Sequence, residues 1–370
     1  MKLVILNETN SIEKRVAITP DLLDKFIKKG FSVFVEKGAG DASGFTDKVF
    51  KENGAKIEED SKQLLENADV LLRVTPLTTK EAKNLKKKCI VVGALKHLSN
   101  QEQIEDFVAN KITSFDLELL PRITRAQTMD ILSSQTNLSG YRAVIEGSYL
   151  LQRAIPLMMT AAGTVHPAKV FVMGAGVAGL QAIATAKRLG AIVTAYDVRS
   201  VAKEQVESLG AKFIQIEHKE SGEGAGGYAR EMTPEYQKAQ NEKIQEVLTT
   251  QDLVITTAQI PAKKAPILIT EKMLKGMKAG SVIVDMATET GGNCQGSKKD
   301  KVIEKFGVLI AGYSNLASKI PNNASQLFSK NLYNFLNLFN KNEKGGLDIN
   351  WDDEIIAKTC ITHDGKIKKV

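Results

Sequence analysis

At 370 residues the chain exceeds one comfortable domain, and length alone argues two or three. With 43% hydrophobic and 25% charged residues, it lies well outside the disordered class. The net charge of +7 comes from scattered lysines and short runs such as Lys86-Lys87-Lys88 and Lys366 to Lys369. With no stacking aromatics interleaved, this reads as solvated surface charge and argues against a nucleic-acid binder.

Cys89, Cys294 and Cys360 are odd in number and far apart, and the four histidines (His97, His166, His218, His363) form no cluster. That pattern predicts neither a disulfide framework nor a metal site, and fits a reducing compartment. The opening Met1-Lys2-Leu3-Val4-Ile5-Leu6-Asn7-Glu8 reaches a carboxylate too early for a signal peptide and predicts a buried strand. No apolar run is long enough to span a membrane, so the expected location is cytoplasmic.

In chain order, Leu3–Leu6 reads as a strand, Pro20–Lys29 as a helix and Ser32–Val35 as a strand. Asp69–Leu72, Cys89–Val92 and Ile112–Phe115 repeat the strand signal between Lys/Glu-rich helical stretches. This βαβα rhythm predicts a parallel sheet covered by helices on both faces. From Leu120-Pro121 to Asp130 the polar spacing is irregular and predicts an exposed loop. Ser133 or Ser134 then caps a helix with Leu138, Tyr141, Ile145 and Tyr149 along its apolar stripe. A second βα series runs from Lys169 to about Tyr313. The tail carries a helix over Ala324–Phe339 and short strand-like pieces around Trp351–Ile361. The expected architecture is α/β: two Rossmann-like, doubly wound parallel-sheet domains separated by a cleft. The first comprises 1–132 plus 318–370 and is discontinuous; the second comprises 133–317.

Lys169-Val170-Phe171-Val172-Met173 is a β-rich strand running straight into Gly174-Ala175-Gly176-Val177-Ala178-Gly179. A strongly helix-forming stretch follows to Leu189 and stops at Gly190, and the next strand, Ile192–Tyr196, ends in Asp197. In this order each residue suits a dinucleotide. Gly174 permits the tight turn, Gly176 the approach of a pyrophosphate, and Gly179 close packing of helix on strand. The helix N-terminus offers free N–H groups to phosphates. Asp197 suits the adenosine ribose hydroxyls and repels a 2′-phosphate, favouring NAD(H); Arg199 nearby is the one feature pointing to NADP(H).

From Arg122 onward the sequence resembles the NAD(H)-binding component of proton-translocating nicotinamide nucleotide transhydrogenases. The most specific stretch is Pro121-Arg122 through Arg125-Ala126-Gln127-Thr128-Met129-Asp130-Ile131-Leu132-Ser133. It resembles that family's Arg-Gln-Asp loop, which implies a nicotinamide-holding, catalytic role for Arg122, Gln127, Asp130 and Ser133, facing an NADP(H)-binding partner. Ser221-Gly222 through Gly226-Gly227-Tyr228 resembles the family's mobile loop, with Gly227 and Tyr228 closing on nucleotide. Thr256-Thr257-Ala258-Gln259-Ile260-Pro261 resembles a cofactor-lining strand end, although Gln259 stands where Leu is more usual. Gly280 to Asp285 and Gly291-Gly292-Asn293-Cys294 also match. The cofactor set implied is Arg125, Gly174, Gly176, Val177, Gly179, Asp197, Val198, Arg199, Gly227, Tyr228, Gln240 and Gln259. The resemblance further implies a homodimer, an NADP(H)-binding beta subunit and separate membrane subunits that carry the proton pathway.

Direct hydride transfer between two nicotinamide rings needs proximity, orientation and exclusion of water rather than a nucleophile or metal. A polar clamp of Arg, Gln, Asp and Ser suits it. Two other readings stand beside this one. The N-terminal region also resembles alanine dehydrogenase, through Lys14-Arg15-Val16-Ala17-Ile18-Thr19-Pro20 and His97. However, Thr75 stands where that enzyme holds a pyruvate-binding Lys, and Glu289 where it holds a catalytic Asp, leaving Arg15 and His97 as structural or vestigial. The third reading is an NAD-binding module without turnover.

Overall fold

The structure, a computed structural model, describes residues 1–8, 11–216, 233–260, 263–341 and 346–368. The chain divides into two compact units, Met1–Gln135 with Ala317–Val370, and Thr136–Leu316. Six strands open the chain: β1 (Lys2–Ile5), β2 (Ser32–Glu36), β3 (Lys56–Glu58), β4 (Val70–Arg73), β5 (Ile90–Gly93) and β6 (Thr113–Asp116). The second unit begins with β7 (Met158–Thr160), β8 (Gly163–Val165), β9 (Lys169–Met173), β10 (Ile192–Tyr196) and β11 (Lys212–Phe213). It continues through β12 (Leu253–Thr256), β13 (Val282–Asp285), β14 (Lys301–Lys305) and β15 (Val308–Gly312). The tail adds β16 (Asn340–Lys341), β17 (Leu347–Asp348), β18 (Cys360–His363) and β19 (Lys366–Ile367).

Both sheets share one topology. The first unit's eight strands run β19-β18-β6-β5-β4-β1-β2-β3, and the second unit's seven run β11-β10-β9-β12-β13-β15-β14. Pairing is parallel from β6 to β3 and from β11 to β15; β18, β19 and β14 are antiparallel additions at the edges. The strand direction of travel reverses between β1 and β4 in one sheet and between β9 and β12 in the other. Those are the switch points at which open α/β sheets hold ligands.

Continuous apolar runs make these strands because each face meets its own core. In β4, Val70 and Leu72 enter one cluster with Phe328, Leu332 and Phe335, while Leu71 enters another with Val91 and Phe107. In β9, Val170 and Val172 pack with Ala182 and Ile183, whereas Phe171 and Met173 pack with Ile244 and Leu274. Helix Pro321–Leu336 buries Phe328, Leu332, Phe335 and Leu336 against the first sheet.

Four sequence expectations need correction. The stretch 120–130 is not an irregular exposed loop: Thr124–Met129 forms a 3-10 helix with Ala126 and Met129 buried. Three residues per turn put those two on one face, a period that loop polarity masks. Helix Ile131–Leu150 is capped by Asp130, whose carboxylate accepts the Ser133 N–H at 2.9 Å, rather than by Ser133 or Ser134. Its bulky stripe is also not its buried one, for Tyr141 and Tyr149 are 39% and 87% exposed. The buried face is Gly140, Ala143, Val144 and Gly147. A Cβ on Gly140 would lie 2.1 Å from the Ala178 carbonyl oxygen, so backbone approach selects small residues there. Finally, Trp351–Ile361 is not mainly strand: helix Glu354–Thr359 intervenes, capped by the Asp353 side chain on the Ile355 N–H.

Trp351, the chain's one tryptophan, packs 4.0 Å (ring centres) from His363, whose Nδ1 lies 3.0 Å from Thr113 Oγ1. Burial, then the Lys368 charge, holds the His363 pKa below its ordinary 6.5. A folded-state pKa below the unfolded one means that stability is retained above about 6.5 and declines as pH falls through the folded value. Protonated imidazole quenches indole, so Trp351 emission should drop on acidification with a midpoint under 6.5. His363→Gln should abolish the step, and a step surviving in that variant would detach it from this pair.

Candidate functional site

In the second unit the Gly174 turn stands at the β9/β12 switch point. Gly174 has φ +101°, and its N–H donates to the Tyr196 carbonyl at 2.8 Å. Thr257, just past β12, closes the switch: its N–H donates to Met173 O at 2.9 Å and its hydroxyl to Gly174 O at 3.0 Å. A Cβ on Gly174 would sit 2.4 Å from that hydroxyl. A Cβ on Gly179 would sit 1.7 Å from Gly174 O, so helix Val177–Arg188 reaches the turn only because residue 179 has no side chain. Gly176, the N-cap, is different: a Cβ there would meet nothing nearer than Arg199 at 4.0 Å. Open space at that backbone, beside a helix N-terminus, is the cradle a phosphate-bearing ligand requires. Val177 begins the helix and is 43% exposed.

Asp197 follows β10 and is 9% exposed. Its carboxylate accepts Ala175 N–H at 2.7 Å, Arg199 N–H at 2.9 Å, and the Arg199 guanidinium at 2.8 and 2.7 Å. Burial alone pushes the Asp197 pKa up, but the Arg199 hydrogen bonds and charge, with the backbone donors, hold it below the usual carboxylate value. Arg199 thus folds back onto Asp197, and the acid stays ionised while tying the glycine turn to the neighbouring strand. Val198 packs against the Phe171–Ile244 core. Gln240 is buried on helix Pro234–Leu248. Gln259 is exposed, and its amide donates to Met286 O at 3.4 Å. Gly227 and Tyr228 lie outside the described residues.

Sequence reasoning gave no role to the support beneath Gln259. Asn293, fully buried, receives Ala258 N–H at 3.0 Å and donates to Ala258 O at 2.9 Å and Pro266 O at 2.8 Å. Asp285 gathers Ala287, Asn293 and Cys294 N–H groups and two hydroxyls. Residues that match as a string carry no signal of such convergence.

In the first unit, Arg122 and Gln127 are exposed, while Asp130 accepts both the N–H and the hydroxyl of Ser133. Arg125 forms a two-pronged ion pair with Asp353 at 2.7 and 2.8 Å. The first sheet's own switch point is filled. After β1, Glu8 is buried and accepts Val74 N–H at 2.9 Å and Thr75 N–H at 3.1 Å, plus the Thr75 hydroxyl. The Arg73 guanidinium, fully buried, lies 3.2 Å from Glu8 and 3.3 Å from Glu81. Arg15 pairs with Glu13 at 2.7 Å and donates to Gln135 at 2.8 Å, and His97 Nδ1 lies 3.0 Å from buried Asp116. Among the described residues, no group of three or more His, Cys, Asp or Glu gathers to hold a metal.

Twin parallel sheets with a glycine turn and terminal acid at one switch point define a nicotinamide-nucleotide-binding type of dehydrogenase fold. The family descriptions "Alanine dehydrogenase/PNT" N-terminal and C-terminal domain match residues 4–139 and 143–370. The chain is 49% identical over 374 residues to a Rhodospirillum rubrum protein, the first polypeptide of a divided NAD(P) transhydrogenase subunit alpha, covering 99% of this chain and 97% of that protein. It is 49% identical to the protein of the same name from Rickettsia prowazekii, covering 99% and 96%. A crystal structure of transhydrogenase from Sinorhizobium meliloti matches with TM-score 0.86 and 42% identity, over 99% of this chain and 98% of that one. The chain therefore belongs to the alanine dehydrogenase/PNT family, among the NAD(P) transhydrogenase alpha subunits. An L-alanine dehydrogenase structure at 23% identity and TM-score 0.81 shares the fold, over 99% of this chain and 96% of that one. Among the described residues, no helix is long and apolar enough to cross a membrane.

Proposed function

We propose that this chain binds NAD(H) and passes hydride directly to or from NADP(H) held by a partner subunit. Membrane subunits, separate from this chain, carry the coupled proton movement. The observation that carries the reading is the Gly174–Gly179 turn, open at Gly176 and tied to ionised Asp197, in a chain akin to proteins named transhydrogenase subunits. NAD(H), when bound, supplies the hydride chemistry. The chain's residues do the rest: the helix N-terminus receives the diphosphate, Asp197 the ribose, and Gln127 and Arg122 orient the ring end. Asp130 and Ser133 hold the start of the following helix beneath them. The pose matters because ring carbons must meet at roughly 3–3.5 Å. Thr75 speaks against alanine dehydrogenase, since its hydroxyl is committed to Glu8 where an oxo-acid would need an amine.

Two copies pair in this reading. The exposed Leu157, Met158, Met159 and Val165, at 55%, 42%, 77% and 37%, give the second unit an apolar surface on and beside β7 and β8 that suits a second copy.

Gln127→Ala tests the transfer role. With an isolated NADP(H)-binding transhydrogenase component, transfer to an NAD⁺ analogue should fall about 100-fold, the order expected for a ring displaced by about 1 Å. NADH affinity by calorimetry should hold. Reduced affinity with normal transfer at saturation would refute the assignment. Turnover of pyruvate and ammonium with NADH alone would move the function to the dehydrogenase.

A further inference from the structure

We propose that Asn331 is a positioning residue, tying the Thr128 carbonyl before Asp130 to the Ser134 hydroxyl after it so that Gln127 and Asp130 keep their pose. The proposal rests on the ring-orienting role given to Gln127 above, with Asp130 holding the helix start beside it.

The 3-10 helix Thr124–Met129 is six residues long, whereas such helices rarely exceed three or four. Ala126 and Met129 pin one face, at 2% and 5% exposure, in the cluster that holds Phe328 and Leu332. Apolar contact restrains depth but not rotation, and carbonyls at a helix end lack intrahelical donors. The Thr128 carbonyl receives two amides from helix Pro321–Leu336: Asn331 Nδ2 at 2.9 Å and Asn334 Nδ2 at 3.0 Å. The spacing of three residues places both amides on one side of that helix. Asn331 is 6% exposed, and its Oδ1 accepts the Ser134 hydroxyl at 2.7 Å.

One planar amide therefore grips Thr128, before Asp130, and Ser134, after it. At neutral pH a carboxamide offers N–H donors and a carbonyl acceptor at opposite ends of one planar group, which an ionised carboxylate of the same shape does not. An apolar residue would fill the volume and lose both ties. An ionised Asp would keep the tie to Ser134 and set a carboxylate against the Thr128 carbonyl.

Asn331→Asp is the test, with NADPH-dependent transfer, NADH calorimetry and amide exchange read on the full chain. At about pH 8, transfer should drop about tenfold, the scale expected for a slightly displaced clamp. NADH affinity should stay within about twofold, because the nucleotide grip is in the other unit, and exchange at Ala126 and Asp130 should speed up. A buried carboxylate facing a carbonyl has a raised pKa. Lowering the pH to about 6 should thus return a donor and restore transfer in this variant, a rescue absent from wild type. Wild-type transfer in Asn331→Asp, beside a crippled Gln127→Ala, would overturn the positioning role alone. Unimpaired Gln127→Ala would instead overturn the reading beneath it, and the proposal with it. If Asn331→Asp does not fold, Ser134→Ala takes its place by loosening the amide at one end; unchanged exchange and transfer there would count against Asn331.

Discussion

Gly179→Ala should weaken NADH binding about a hundredfold, or ~2.8 kcal/mol. The new methyl would stand 1.7 Å from the Gly174 carbonyl oxygen, well inside contact distance. The obstacle is backbone, so no rotamer change relieves it. Either the helix backs away from β9 or the turn flips, and each outcome moves the N–H groups around Gly176. The affected helix also carries Ala182, Ile183 and Ala186 in the second unit's core, so the melting temperature should fall as well. Gly176→Ala is the internal control for packing, since its Cβ meets nothing nearer than 4.0 Å. It should fold like wild type and lose affinity only because the ligand's approach is blocked. Calorimetry and thermal unfolding on both variants settle the matter. Native affinity in Gly179→Ala would mean that the turn is not the nucleotide's seat.

Arg73→Met should destabilise the first unit by about 3–5 kcal/mol, the range for removing one partner of a buried ion pair. Glu8 would then keep its backbone donors but lose its nearest cation, with water excluded. Replacing both, as Arg73→Met with Glu8→Leu, should recover part of the loss, because the fully buried carboxylate leaves with its partner while Glu81, the other partner, keeps some solvent access. Trp351 belongs to this unit and reports its unfolding, so urea titrations followed by its emission isolate the effect. A double variant as unstable as the sum of the singles would show that the two groups are not coupled. NADH affinity, a property of the other unit, should be unaffected by either change.

The central strands β1, β4, β5, β9, β12 and β13 were legible because they are short apolar runs with buried residues on both faces, and the order strand, glycines, helix, strand, acid is local in the chain. Asp197 could be placed from sequence for that reason. Its engagement by Arg199 could not, because Arg199 offers a 2′-phosphate and a carboxylate the same guanidinium. The buried face of Ile131–Leu150 was misread because hydrophobic periodicity weighs side-chain bulk, whereas Gly140 and Gly147 are buried for having none. The ion pair of Arg125 with Asp353 was out of reach of the sequence because the two lie 228 residues apart. Glu8 and Arg73 meet only because β1 and β4 are neighbours in the sheet, a relation no local pattern encodes.

The returning tail also bears on how the polypeptide is made. Phe328, Leu332, Phe335 and Phe339 belong to the oily interior of the unit that starts at Met1. During synthesis those rings leave the ribosome only after all of Thr136–Leu316 has emerged. The usual N-to-C sequence of maturation is consequently inverted. The middle of the gene product can reach its final state first, while the earliest-made segment waits, with greasy surface uncovered, for the last-made one.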